Sequence, residues 1–191
     1  EVRNNPTLCA ELLDLLQYNF EHIDFIDERV DLGFDCPLDL HCNYTRDQIL
    51  VALDFLKPST VREGVKYLSD KKIDIAFVAL NKSDKDYSPS TMYQDYSVGD
   101  EFFHWQSQST TSESSFTGQR YIHHREEGTL FLLFVRENKT DHISGGAGVY
   151  TFLGKANYVQ HEGSRPMSIL WKLERPIPAR LQRKTNELVG G

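Results

Sequence analysis

The run Ile73-Asp74-Ile75-Ala76-Phe77-Val78-Ala79-Leu80 constrains this chain more than any other segment. It is rich in β-formers and bounded by polar positions, so it reads as a strand. It is also far shorter than the roughly 18 apolar residues of a membrane span. No longer apolar run approaches that length, so an integral membrane protein is not expected.

The same run marks a change of period. Before it, Leu8, Leu12, Leu15, Leu16 and Phe20 recur at helical spacing behind Pro6-Thr7. Thr45 can cap a second helix carrying Ile49, Leu50, Leu53 and Phe55, which Pro58 ends. Ser59 or Thr60 can cap a third, carrying Val61, Val65 and Leu68. Leu53/Leu56 against Val65/Leu68 then predicts a helical hairpin. After the run, residues 101–106, 119–123, 129–136, 149–153, 157–161 and 168–173 read as short strands. Gly-, Ser-, Thr- and Asn-rich segments separate them, notably 107–118 and 144–148. Closely spaced short strands predict a small, mostly antiparallel sheet curled into a barrel or half-barrel. The fold class is therefore α+β: a helical part over 1–72 and a β-rich part over 73–191. No Pro/Gly-rich linker divides them, so the two parts are expected to pack together, as two domains or as one.

The formal net charge of −7 argues against a polyanionic partner until it is divided. Residues 1–100 hold 19 acidic and 10 basic side chains, a balance of −9. Residues 101–191 hold 9 and 11, a balance of +2, with five of the seven histidines. The basic tail Lys172, Arg175, Arg180, Arg183 and Lys184 can follow a phosphate backbone or form a solvated terminal helix. The odd cysteine count, Cys9, Cys36 and Cys42, favours a reducing cytoplasm over a disulfide framework. The first residues lack the basic and apolar regions of a signal peptide, and the chain begins without Met. An excised piece of a larger protein is expected.

Several chemistries lack their usual residues. There is no Walker A loop, no G-x-G-x-x-G after a strand, no H-E-x-x-H and no G-x-S-x-G. The H-x-E…P-C-x-x-C signature of base deaminases is absent too. Cys36-x-x-x-x-His41-Cys42, His123-His124 and His161-Glu162 do not have a recognised metal spacing, so neither metal nor cofactor is expected.

Three clusters remain. In Phe102-Phe103-His104-Trp105-Gln106-Ser107-Gln108 a strand puts Phe103 and Trp105 on one face, and Phe102, His104 and Gln106 on the other. Imidazole and amide groups can read the edge of a nucleobase, and an aromatic face can stack on it. A core strand followed by a solvated loop fits the same residues. Gly118-Gln119-Arg120-Tyr121-Ile122-His123-His124-Arg125 combines phosphate-binding groups with a Tyr, or is a polar edge strand. In His161-Glu162-Gly163-Ser164-Arg165-Pro166-Met167, Gly and Pro bracket an Arg in a tight turn that can face an anion or merely connect two strands.

Taken in order, several strings resemble one family. They are Tyr93-Gln94-Asp95-Tyr96, Phe103-His104-Trp105-Gln106-Ser107-Gln108, Leu132-Leu133-Phe134-Val135-Arg136-Glu137, Tyr150-Thr151-Phe152-Leu153-Gly154 and the turn around Arg165. The chain is similar, over roughly 52–179, to the domain of unknown function at the C-terminus of bacterial DEAD/DEAH-type helicases. Those proteins often also carry a phospholipase-D-like nuclease. The resemblance implies a bacterial, cytoplasmic restriction or defence system whose motor and nuclease lie outside this chain, since the nuclease's H-x-K-x-x-x-x-D is absent. It also admits a PUA/SRA-like barrel that flips a base.

The expectation is a non-catalytic reader of double-stranded, methylated DNA, most simply of 5-methylcytosine, acting by base flipping. Trp105, Tyr121, His104, Gln106 and Gln108 would form the base pocket. Arg120, His123, Arg125 and Arg165 would hold phosphates. The alternative is a regulatory module that docks on the helicase and nuclease domains, with the acidic first part as the docking surface.

Overall fold

The computed structural model describes residues 5–21, 28–80, 96–139 and 147–177, without the side chains of 19–21 and 96. The expected loop over 81–90, the Tyr93-to-Tyr96 side chains, His142 and the tail cations Arg180, Arg183 and Lys184 lie outside these residues.

Helix α1 (Pro6–Glu21) forms where the leucine spacing predicts it, and the Asn5 carboxamide accepts the Leu8 N–H at 3.1 Å. Strand β1 (Asn43–Tyr44) leads into α2 (Arg46–Ala52). Thr45 caps α2 in a reciprocal capping box. Its hydroxyl accepts from Gln48 N–H, and the Gln48 carboxamide accepts from Thr45 N–H. A single 3-10 turn (Pro58–Thr60) follows, then β2 (Val65–Leu68) and β3 (Ile73–Ala79). The remaining elements are β4 (Tyr96–Val98), β5 (Phe102–Gln106), α3 (Phe116–Ile122), β6 (Leu130–Arg136), β7 (Tyr150–Glu162) and β8 (Ser168–Leu173).

The strands form one mixed eight-stranded sheet in the order β2-β3-β6-β7-β8-β5-β4, with β1 alongside the start of β7. The α+β class holds, but the sheet does not close: β2 and β4 remain as edges. The pairing is mostly antiparallel, with one exception: β3 and β6 run parallel from Ile73↔Leu130 to Ala79↔Arg136.

The sheet is nonetheless strongly curled. Three strand spacings separate β6 from β5, about 14 Å in a flat sheet. Yet the ring centroids of Phe131 on β6 and Trp105 on β5 are only 5.4 Å apart. On this inner face Phe103, Trp105, Phe131, Leu133, Ile169 and Trp171 surround Tyr121 of α3. Phe131 stacks on Trp171 at 3.8 Å, and Tyr121 meets Trp105 edge-on at 5.5 Å. Such pairs each contribute about 0.5–1.5 kcal/mol beyond area burial. The other face of β3 and β6 packs under residues 32–53, with Leu38, Ile49, Leu50 and Leu53 against Ile73, Ile75, Leu132 and Phe134. Strand β3 is therefore buried on both faces over its whole length.

Four local expectations are corrected. Residues 65–68 are a strand, not the end of a third helix, so there is no helical hairpin: Val65 to Leu68 pair with Ala76 to Ile73. That pairing crosses the expected boundary at 72/73. Residues 119–123 belong to α3 and its C-cap, because the Ser115 hydroxyl accepts Gly118 N–H at 3.1 Å and starts a helix. The segments 149–153 and 157–161 fall in one long strand. Gly154 (φ +89°) lets β7 continue through a register shift, with Leu133↔Gly154 followed by Phe134↔Phe152. Finally, among the described residues up to 72, α1, α2 and one 3-10 turn are interspersed with extended chain and two strands, so a wholly helical first part is not what they form.

Candidate functional site

At one end of the curled sheet β5, β7 and β8 terminate beside the loop 107–115 that leads into α3. Buried Ser107 clamps this end. Its N–H donates to Met167 O at 2.9 Å, and its hydroxyl accepts Met167 N–H at 2.9 Å. The turn after β7 is tied to the same loop, with Arg165 N–H donating to Thr111 O at 3.2 Å and Glu113 N–H to Ser164 Oγ at 3.3 Å. Arg165 is exposed and sits in the left-handed region at φ +63°. That conformation costs a non-glycine residue about 1–2 kcal/mol. The turn is thus held against its own backbone preference, and a cation is presented at its tip. Gln108 joins the loop to the far side of the sheet: its amide donates to Glu63 at 3.4 Å and its oxygen accepts from the Thr111 hydroxyl at 3.3 Å.

The five expected base-pocket residues do not share one pocket. Trp105 (4% exposed) and Tyr121 are brought together, but as core rings among Phe131 and Trp171. His104 and Gln106 point to the opposite face of β5, opposite Leu170 and Ser168 on β8. Gln108 lies past the strand end, in the rim. The alternation expected for 102–106 is present, and it is this alternation that separates Trp105 from His104 and Gln106.

Of the expected phosphate ligands, Arg120 is unavailable. It is 5% exposed and forms a bidentate pair with Asp74 (1% exposed): Nε donates to Oδ2 at 2.7 Å and Nη2 to Oδ1 at 2.9 Å. Its guanidinium also lies 3.8 Å from the Tyr67 ring centroid. The pair pins α3 to β3, with Tyr67 of β2 opposite Asp74 in register. Burial pushes the Asp74 carboxyl up while Arg120 opposes it. His123 faces Glu126 at 2.9 Å. Arg125 is exposed and donates to Tyr158 O at 3.3 Å. Arg125 and Arg165 therefore remain as accessible cations among the four.

Two further groups form the wall behind α3. His124 is buried. Its Nδ1 lies 3.0 Å from Thr129 O, which can only accept, so Nδ1 carries the proton and Nε2 accepts Tyr158 N–H at 3.0 Å. Burial, reinforced by Arg125, lowers its pKa. Beside it the Tyr158 hydroxyl meets His161 Nδ1 at 2.6 Å, and His161 Nε2 is 3.8 Å from a Glu113 oxygen. Burial, then Glu113, raises the Tyr158 pKa.

The structure adds Asp74, Tyr67, Ser107, Ser164 and Phe116 to the residues that shape this end. A signal existed for Asp74: a carboxylate inside an otherwise apolar strand requires a buried partner. Among the described residues, no cluster of His, Cys, Asp or Glu is arranged to hold a metal ion, and no helix is long and apolar enough to cross a membrane.

A family model described as Domain of unknown function (DUF3427) matches residues 38–184. The chain belongs to this family. The match takes in all eight strands found among the described residues and both rim segments of the DUF3427 domain, while α1 lies outside it. A search of curated proteins found no match.

Proposed function

We propose that this chain is a non-catalytic DNA-recognition module of a modification-dependent restriction enzyme, reading a flipped, modified base, 5-methylcytosine in the simplest case. The observation that carries this reading is the rim: an exposed Arg165 in a strained turn, hydrogen-bonded to a hydroxyl-rich loop. A rigid cation beside Ser and Thr hydroxyls is equipment for phosphate contacts. Arg125 extends it along β7, and Gln108 supplies an amide that can read a base edge. Trp105 and Tyr121 serve as the stiff floor beneath the loop. The motor and nuclease of a bacterial helicase–nuclease would supply cutting.

The test is binding to paired methylated and unmethylated duplexes across a salt series. Arg165→Ala should weaken binding about equally to both and flatten the salt slope by about one. Absence of binding to either duplex at low salt overturns the DNA reading, and equal affinity for both removes modification specificity.

Helix α1 favours a second role. Leu13 (65% exposed), Leu15, Leu16 (64%) and Tyr18 are exposed along it, and Glu11 and Asp14 occur without any Lys or Arg between 6 and 21. An acidic helix with apolar side chains fits an apolar groove rimmed by cations, such as a surface of the helicase domain. Leu13→Asp with Leu16→Asp should then abolish capture of the purified helicase and leave DNA affinity unchanged.

A further inference from the structure

We propose that Phe116 is the ring that enters the DNA stack when the target base leaves it. The inference rests on the DNA reading above and assigns a residue to it that neither Trp105 nor Tyr121 can replace, because both are enclosed in the core. Phe116 is 78% exposed. It is the first residue of α3, directly after the hydroxyl-rich loop. In a helix the Cα–Cβ bond tilts toward the N-terminus, so this side chain leans toward the loop.

The ring is not on a loose tether. On its N-terminal side the Ser115 hydroxyl donates to Ser112 O at 2.6 Å and accepts Gly118 N–H. The Gln119 amide donates to Glu113 O at 2.9 Å. Gly118 lets the loop lie directly on the helix, since a Cβ there would stand 2.1 Å from Ser112 O. One turn on, Arg120 is locked by Asp74, with its guanidinium 5.5 Å from the Phe116 ring centroid. The backbone that carries the ring is fixed on both sides, so binding has only the ring's own side-chain freedom left to order there. Apolar wedges that unstack a base step work beside backbone contacts that hold the duplex in place. Here the loop that precedes the ring is the one bonded to the Arg165 turn.

The experiment uses the full chain and a short methylated duplex with 2-aminopurine beside the methylated cytosine. Anisotropy reads affinity, and 2-aminopurine emission reads unstacking. Wild type should bind and brighten the probe. Phe116→Ala should remove the brightening and weaken binding roughly 5- to 150-fold, the range of one lost base–aromatic stack. Its unfolding midpoint should match wild type because the ring is exposed, and Phe116→Trp should restore both signals. If wild type brightens the probe and Phe116→Ala does so equally, Phe116 is not the wedge and the DNA reading stands. If wild type binds no duplex at low salt, the DNA reading itself falls and takes this inference with it.

Discussion

Arg120→Met removes one side of the buried pair that joins α3 to β3. Asp74 would keep its carboxylate at 1% exposure and lose two charge-assisted hydrogen bonds, of 2.7 and 2.9 Å. Hydrogen bonds to charged groups are each worth about 1.5–3 kcal/mol. Breaking a buried ion pair from one side costs about 3–5 kcal/mol. We therefore expect a loss of about 4 kcal/mol in urea unfolding at neutral pH, a large share of the roughly 5–15 kcal/mol that stabilises a domain. Replacing both partners, Asp74→Leu with Arg120→Met, should recover most of the loss, because no charge is then left buried. The pH arm gives a second reading. With Arg120 gone, nothing opposes the burial that raises Asp74, so its folded pKa lies further above the unfolded value of about 3.9. A group with a raised folded pKa destabilises as pH rises through that pKa and costs nothing below the unfolded one. The gap between variant and wild type should therefore narrow as pH falls through the raised folded pKa and be smallest below the unfolded value of about 3.9. A loss under about 1 kcal/mol at neutral pH, or a gap that widens in acid, would refute the account of the pair.

Three other perturbations follow from the same geometry. His124 is fixed as the neutral Nδ1–H tautomer and its pKa is lowered, so the unfolded chain binds its proton first as pH falls below about 6.5. Stability should drop through that window, and the part of the slope lost in His124→Ala, read from urea midpoints at several pH values, measures this residue. Gly118→Ala should destabilise by about 1–3 kcal/mol, against the roughly 1 kcal/mol gain normal for this exchange in a helix, because the new methyl meets backbone oxygens of Ser112 and Glu113. A neutral or raised melting midpoint would contradict the close approach. Trp105→Ala should cost about 3–5 kcal/mol as a core truncation; a stable variant that loses only methylated-duplex binding would return Trp105 to the site.

Local signals made some elements legible and left others open. The leucine spacing of α1, the Thr45 cap of α2 and the alternation of β5 are set by residues within one or two turns of each other. Val65 and Leu68 were not decisive, since two apolar residues three apart suit one turn of helix as well as a short strand. What makes them a strand is β3, which supplies the pairing partners. Likewise Tyr121-Ile122 favours a strand by composition, and the Ser115 cap with Arg120 reaching Asp74 makes it helix. The parallel β3–β6 pair joins residues more than fifty positions apart, and no local pattern encodes which edge a strand will find.

The same distinction explains the candidate site. Residue type marked Arg120, Trp105 and Tyr121 as candidate DNA ligands, but what each does in the fold is decided by partners distant in sequence. Arg120 finds Asp74 across 46 positions, and Trp105 finds Phe131 and Trp171 across the curl of the sheet. Once these partners have withdrawn the strongest groups into the core, the exposed chemistry of this end is carried by smaller signals: an Arg in a Gly-Ser-Arg-Pro turn, the exposed hydroxyls of Ser109, Thr110 and Ser114, and one Phe at a helix start. A surface of that kind has little excess charge, in line with the modest +2 balance of residues 101–191. If duplex DNA sits on this rim, Arg165 and Arg125 are its accessible cations among the described residues, so the salt slope should be about −2, far shallower than for a protein that neutralises many phosphates. A slope near −6 or steeper would mean that cations elsewhere in the chain dominate binding and that the rim is not the interface.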